Sequence, residues 1–124
     1  MLRHYLDTYA MIEYLRGNSK YLETISDTEW VTSLMNIIEL YYLILRDHNE
    51  EMAERAFLAF RQNEVPIKDE DIKSGMTLRL KARARKINLS YADAIGYSIS
   101  ERMGARYLTG DNAFRNFPNV EFLR

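Results

Sequence analysis

The sequence contains no cysteine. Disulfide frameworks, thiolate nucleophiles and zinc or iron–sulfur sites with cysteine ligands are therefore excluded. The chain also lacks any apolar run approaching the roughly 20 residues that cross a bilayer. Its N-terminus lacks the basic and apolar regions of a signal peptide. These absences predict a cytoplasmic protein.

Proline and glycine are scarce, with two prolines and five glycines in 124 residues, and no linker or internal repeat divides the chain. A chain of this length is most simply one domain, residues 1–124. Short β-branched or aromatic runs alternate with longer helical stretches, which indicates an α/β fold with a mostly parallel sheet. The five predicted strands lie near residues 4–6, 30–33, 64–67, 106–108 and 120–122. The predicted helices lie near residues 8–16, 20–26, 35–47, 50–62, 69–86 and 90–103.

The net charge of −1 conceals an uneven distribution. Residues 1–66 include 6 basic and 11 acidic residues, hence −5, whereas residues 67–124 include 11 basic and 7 acidic residues, hence +4. Arg102, Arg106 and Arg115 contribute to this C-terminal excess. A basic surface beside an acidic site would suit a polyanionic substrate.

Most of the positive excess lies in one run, where five of the eight residues from Arg79 to Lys86 are basic. On a helix, Arg79, Arg83 and Lys86 follow an i, i+4, i+7 row, beside a second row of Lys81 and Arg85. We predict that the first row helps to bind the phosphates of a polyanion. A solvated helix face is the alternative interpretation.

Four acids are hard to explain as simple surface: Asp7, Glu39, Asp93 and Asp111. Glu39 is the most unusual, because every residue from 35 to 45 except Asn36 and Glu39 is apolar or aromatic. A helix that is apolar all round is normally buried, and an isolated buried carboxylate is costly. Four acids without nearby basic residues suggest a bound cation.

The predicted layout brings these acids together. Ligands of open parallel sheets bind beyond the carboxyl ends of the strands. Asp7 ends the first predicted strand, Asp111 follows the fourth, Glu39 lies about one helical turn beyond the second, and Asp93 lies in the first turn of a helix. Carboxylates converging there are the ligands that Mg²⁺ and Mn²⁺ prefer.

Three of the four acids also have a structural interpretation. Asp7 could cap the helix beginning at Thr8, and Ser90 with Asp93 matches a capping box. Asp111 could form an Asx turn. Glu39 has no comparable role, since its own helix offers no basic partner before Arg46.

Four segments carry these acids in order along the chain, at residues 5–17, 32–42, 89–99 and 107–114. Together they resemble the successive acidic motifs of PIN-domain ribonucleases, especially the small VapC-type toxins of bacterial and archaeal toxin-antitoxin pairs. The resemblance spans essentially the whole chain. It implies a three-layer α/β sandwich whose central, mostly parallel five-stranded sheet is flanked by helices.

The resemblance also implies a site. Asp7, Glu39, Asp93 and Asp111 would form the catalytic quartet that binds Mg²⁺ or Mn²⁺, with three polar residues in support, Thr8, Ser33 and Asn36. The family often has Thr or Ser where this chain has Asn36, and often has a further acid where it has Ala113. The second departure puts a second metal site in doubt.

The function implied is that of a metal-dependent ribonuclease acting as the toxin of a pair. The polyanion that Arg79, Arg83 and Lys86 are predicted to bind would then be RNA. A homodimer and a cognate antitoxin are implied as well, the antitoxin covering the active-site groove. Tyr9, Tyr91 and Tyr97 lie near the acids in sequence and could stack on unpaired RNA bases. A catalytically weak or inactive PIN-like interaction module is the alternative, because fold and metal binding can persist without turnover.

Overall fold

The computed structural model describes residues 3–124, which form four β-strands, six α-helices and one short 3₁₀ helix. The strands are β1 (Arg3–Leu6), β2 (Glu29–Val31), β3 (Arg106–Thr109) and β4 (Val120–Phe122). The helices are α1 (Thr8–Leu15), α2 (Ser19–Ser26), α3 (Leu34–Asp47), α4 (Glu50–Arg61), α5 (Asp69–Ala84) and α6 (Tyr91–Arg102). The 3₁₀ helix (Asn112–Phe114) follows β3. All six predicted helices are present. No helix formed by residues 3–124 is long and apolar enough to span a membrane.

The sheet is parallel throughout, in the order β2-β1-β3-β4. Tyr5 of β1 is opposite Val31 of β2 and Tyr107 of β3, so the two central strands are in close register. All four strands therefore end at the same edge. Asp7 comes directly after β1 at that edge, and Asp111 lies two residues beyond β3.

Two hydrophobic cores lie on opposite faces of this sheet, because successive strand side chains point to opposite sides. Leu6 and Leu108 pack with residues of α1 to α4. Tyr5 and Tyr107 pack with residues of α5 and α6 on the other face. The predicted three-layer α/β architecture is confirmed.

Of the five predicted strands, the one at residues 64–67 is wrong. Glu64 forms only an isolated parallel bridge with Thr32, and the Val65 amide donates to the Thr32 carbonyl at 2.9 Å. The next residue is Pro66, which has no amide hydrogen to continue a ladder. Val65 and Ile67 instead pack against the core beneath α5 and α6.

The apolar sequence of α3 had suggested a helix that is buried on all sides, but one of its faces is exposed. Asn36, Ile37, Leu40 and Ile44 face the protein interior. Ile38, Tyr42 and Leu45 lie on the opposite face and are 45–60% exposed. This helix therefore presents an apolar surface to its surroundings.

Two contacts hold α5 against α6. Gly75 allows close approach, because an added Cβ there would lie 3.1 Å from the Ala94 carbonyl group. Asp71, which is 1% exposed, accepts hydrogen bonds from both Nε and an Nη of Arg102, at 2.8 and 2.9 Å. Burial opposes ionisation of Asp71, but the Arg102 bonds outweigh it and the pKa of Asp71 is lowered. Arg102 is thus committed to this ion pair and does not contribute to a free basic surface.

Replacing Asp71 with Asn should leave the partly buried guanidinium of Arg102 without its charged partner. We expect the free energy of unfolding to fall by about 2–3 kcal/mol, since a charged hydrogen-bonded pair is broken. Asp69→Asn is the matched control, because Asp69 is exposed in the same first turn of α5. Chemical denaturation measures both. Equal stability of the two variants would contradict a structural role for the pair.

Candidate functional site

The four parallel strands end at one edge of the sheet, which we call the carboxyl edge. Asp7 lies at the centre of this edge and is only 2% exposed. Its Oδ1 accepts a hydrogen bond from the Ala10 amide at 2.8 Å, which caps α1 as predicted. Its Oδ2 accepts a hydrogen bond from the Thr109 hydroxyl of the neighbouring strand β3. The carboxyl group therefore connects the central strands to the first helix.

Asp93 lies in the first turn of α6 and completes the predicted capping box with Ser90. The Ser90 amide donates to Asp93 Oδ2, and the Asp93 amide donates to the Ser90 hydroxyl, both at 3.0 Å. These two bonds fix the start of α6 and the position of the carboxylate.

Asp111 begins the 3₁₀ helix after β3, and its Oδ1 accepts from the Ala113 amide at 3.0 Å, an Asx turn as predicted. Its own amide donates to the Thr109 hydroxyl at 3.0 Å. Thr109 thus connects Asp7 to Asp111. Gly110 between them is required, since an added Cβ would lie 2.3 Å from the Tyr9 ring and 2.4 Å from the Leu123 carbonyl oxygen.

Glu39 lies in the second turn of α3 and is half-buried. It makes no hydrogen bond or ion pair within residues 3–124, unlike the other three acids. A helix-capping or salt-bridge explanation is therefore not available for this carboxylate in the described part of the chain.

The four acids influence one another electrostatically. Burial, with a smaller contribution from the charges of Asp93 and Asp111, raises the pKa of Asp7 to about 8. Burial, with the charges of Asp111 and Glu39, raises the pKa of Asp93 to about 6. Like charges held together oppose ionisation, and a cation between them would reverse this effect.

A divalent cation fits the chemistry of these residues, because every donor atom is a carboxylate oxygen. The cation would also offset the repulsion between the negative charges of the four carboxylates. In the observed conformation, however, no three His, Asp or Glu side chains in residues 3–124 form a group that could hold a metal ion. Asp7, Asp93 and Asp111 are each turned toward backbone amides of their own helix starts. Asp93 and Asp111 each use one carboxylate oxygen in these bonds, which leaves the second oxygen available to a cation.

A buried polar network supports this edge from below. The Tyr5 hydroxyl donates to Asn36 Oδ1 at 2.5 Å and lies 2.8 Å from the Ser33 hydroxyl. Asn36 Nδ2 donates to the Thr8 hydroxyl at 3.1 Å. Tyr5 therefore joins the predicted supporting residues Ser33 and Asn36, and Asn36 joins Thr8, so that α3 is fixed against β1 and α1.

Tyr5 and Thr109 were not predicted as site residues. Their positions carried a signal, since Tyr5 lies in β1 two residues before Asp7, and Thr109 ends β3 two residues before Asp111. Residues near the carboxyl ends of parallel strands lie beside the edge where ligands bind. Tyr107 has the same relation to Thr109, and its hydroxyl is buried without a hydrogen-bond partner in residues 3–124.

The basic run differs from the row predicted for it. Helix α5 ends at Ala84, and Lys86 has a left-handed backbone with φ 64°, so it does not continue the row of Arg79 and Arg83. Arg79 Nε donates to the Leu89 carbonyl at 2.9 Å, and its guanidinium lies over the Tyr91 ring. Arg83 and Lys86 are exposed. Their binding to RNA stays a prediction.

The model of the PIN domain family matches residues 4–120. Because this match covers nearly the whole chain and its four acidic segments, the chain belongs to the PIN domain family. A comparison with curated proteins finds no match.

Solved structures share this fold over their whole length. A toxin-antitoxin complex from Klebsiella pneumoniae aligns with a TM-score of 0.74 at 19% identity, covering 95% of both chains. DNA-bound VapBC from Salmonella typhimurium aligns with a TM-score of 0.77 at 14% identity, covering 99% of this chain and 98% of the other. VapC20 of Mycobacterium tuberculosis, a sarcin-ricin-loop-cleaving toxin, aligns with a TM-score of 0.72 at 16% identity. The alignment covers 95% of this chain and 98% of VapC20. At these identities the likeness establishes the fold.

The raised pKa of Asp7 should make the metal-free protein less stable as pH rises. The folded-state pKa of about 8 exceeds the ordinary value of 3.8, so the folded state binds more protons between these values. The free energy of unfolding should therefore fall from about pH 4 to pH 8, by at most about 1.4 kcal/mol per pH unit for this group. Asp93 should add to the fall only up to about pH 6.

Denaturation in a chelator across this pH range measures the slope. Asp7→Asn should flatten it between pH 6 and pH 8, whereas Asp27→Asn, at an exposed position, should retain it. An unchanged slope in Asp7→Asn would show that Asp7 is ionised throughout the range.

Proposed function

We propose that this protein is a Mg²⁺- or Mn²⁺-dependent ribonuclease that acts as the toxin of a toxin-antitoxin pair. One observation carries the proposal. Acids from four separate elements lie near enough at the carboxyl edge of the sheet for burial and mutual repulsion to raise the pKa values of Asp7 and Asp93. A stable protein tolerates such repulsion at a site where function requires it.

The residues of this chain would have the following roles in the reaction. Asp7, Glu39, Asp93 and Asp111 would hold the cation through carboxylate oxygens. Thr109 keeps Asp7 and Asp111 in place through its hydroxyl. When bound, the cation would supply a Lewis acid for the phosphodiester and would acidify water for the attack. A protein nucleophile is not required, in keeping with the absence of cysteine.

The toxin assignment is supported by the fold neighbours, which include a toxin-antitoxin complex and a toxin that cleaves the sarcin-ricin loop. A cognate antitoxin and a homodimer belong to this proposal. The exposed apolar residues of α3, Ile38, Tyr42 and Leu45, support a protein contact on that face. Large apolar side chains at the surface of a small domain are typical of interaction sites.

A non-catalytic PIN-like interaction module is the second candidate. It is favoured by one observation, that the carboxylates within residues 3–124 are not assembled into a ready metal-binding group. The two candidates differ in a single property, turnover of RNA, and are separated by the following experiment.

Asp7→Asn and Asp93→Asn should abolish metal-dependent RNA cleavage. The wild type should cleave a structured RNA in Mn²⁺ or Mg²⁺ and not in chelator, and each variant should lose at least about a hundredfold, as when a charge-stabilising group is removed. Adding Mn²⁺ should also raise the Tm of the wild type more than that of the variants, because a cation that binds only the folded state stabilises it.

Asp69→Asn, at the exposed start of α5, should behave as the wild type in both measurements. A wild type whose Tm rises with Mn²⁺ but which cleaves no RNA would identify the interaction module. Equal Tm shifts in all four proteins would remove the metal site from the proposal.

Glu39→Gln should affect function more than folding. Glu39 has no partner within residues 3–124, so its replacement breaks no hydrogen bond and removes repulsion from Asp93. We expect unchanged or slightly greater stability without metal, together with a smaller Mn²⁺-induced Tm shift and slower cleavage. Glu23→Gln, on the exposed surface of α2, is the control. A large loss of stability in the metal-free Glu39→Gln protein would contradict this assignment and indicate a structural role.

A further inference from the structure

A cavity of about 560 Å³ lies between the last turns of α5, the C-terminal half of α6 and the segment after β3. Asn112 and Ala113, which directly follow Asp111, form part of its wall. The cavity therefore adjoins the segment that follows Asp111. Its size falls within the range of about 300–1,000 Å³ typical of small-molecule sites.

The floor of the cavity is apolar and aromatic. Leu78, Ala82, Ile87, Tyr97 and Phe117 line it. Tyr97 is 3% exposed, and its ring packs edge-on against Phe117 at 5.5 Å between centroids. Its hydroxyl already donates to the Pro118 carbonyl. Tyr97 thus offers the cavity its ring carbons, which suit a flat apolar group.

The rim on α5 is cationic. Lys81 and Arg85 lie one turn apart on the helix face that borders the cavity. Both side chains are exposed, and neither forms an ion pair with any carboxylate in residues 3–124. Arg102 and Arg106, by contrast, are paired with Asp71 and Glu121. The rim can therefore receive an anion such as a phosphate.

One carboxylate, that of Glu101, faces this cavity from α6. Glu101 follows Tyr97 by one turn, and after burial its charge is the second cause that raises the pKa of Tyr97 to about 12. It has no hydrogen-bond partner in residues 3–124. A carboxylate accepts two parallel N–H donors well, and guanine presents such a pair on its Watson–Crick edge, whereas adenine does not.

We propose that this cavity binds an unpaired guanine nucleotide of the RNA substrate. The base lies on the floor formed by Tyr97 and Phe117, the Glu101 carboxylate accepts its N1–H and amino hydrogens, and Lys81 and Arg85 contact its phosphate. This inference rests on the proposed ribonuclease function, because it assigns a base preference to that same substrate.

The experiment measures binding of GMP, AMP and guanosine to the intact, metal-free protein by calorimetry or ligand-observed NMR. We expect GMP to bind saturably, and more tightly than AMP. Glu101→Gln should bind GMP about tenfold or more weakly and lose the preference over AMP, since a bidentate base contact is removed. Lys81→Ala/Arg85→Ala should bind GMP no better than guanosine.

The matched control is Arg55→Ala/Lys73→Ala, which removes the same charge from exposed residues outside both the cavity and the basic run. It should retain the affinity of the wild type for GMP. Absence of saturable GMP binding, equal binding of GMP and AMP, or an equal loss in the control variant would overturn the proposal.

Failure of this inference is distinguishable from failure of the proposed function. GMP binding is measured in chelator and does not depend on Asp93, so Asp93→Asn should bind GMP normally while losing RNA cleavage. If the wild type cleaves RNA in Mn²⁺ but does not bind GMP, the ribonuclease assignment stands and the guanine pocket is rejected.

Discussion

The carboxyl edge of the sheet depends on the burial of a single carboxyl group, that of Asp7. The group caps α1 through the Ala10 amide and accepts the Thr109 hydroxyl of β3, so it joins both central strands to the first helix. Burial of a carboxylate is expensive unless it is hydrogen-bonded or neutralised. These contacts lessen the cost but leave its pKa near 8. Binding of a proton or a cation by Asp7 would therefore reduce the cost of burying its negative charge.

The helix starts and the candidate site use the same atoms. Asp93 and Asp111 fix the beginnings of α6 and the 3₁₀ helix by accepting backbone amides, and the same carboxylates face the common edge. Structural and functional interpretations of these acids are therefore compatible. Capping determines where each carboxylate lies, and mutual repulsion determines what the group can bind. Glu39 differs, because its carboxylate forms no hydrogen bond or ion pair within residues 3–124. A role as a metal ligand would explain its position, and no structural role is evident in that part of the chain.

The two faces of the protein have different charge and chemistry. The α3 surface carries exposed apolar side chains, with acidic residues prominent in the N-terminal half of the chain. The α5 surface carries cations, of which Lys81 and Arg85 border an aromatic cavity beside Asp111. The proposed protein contact on α3 and the proposed nucleotide contact on α5 therefore use different residues. The acidic edge of the sheet joins these faces.

Local sequence determined the six helices, the parallel α/β pattern and the caps at Asp7, Asp93 and Asp111, because periodicity and capping depend on residues a few positions apart. It also brought the four acids into consideration, since carboxylates at strand ends of a parallel sheet must share an edge. Tertiary structure alone decided the rest. Pro66 and core packing kept residues 64–67 out of the sheet, Asp71 removed Arg102 from the basic surface, and Tyr5 and Thr109 joined the site through hydrogen bonds. These outcomes depend on contacts between residues about 30 to 100 positions apart, which local propensity does not encode.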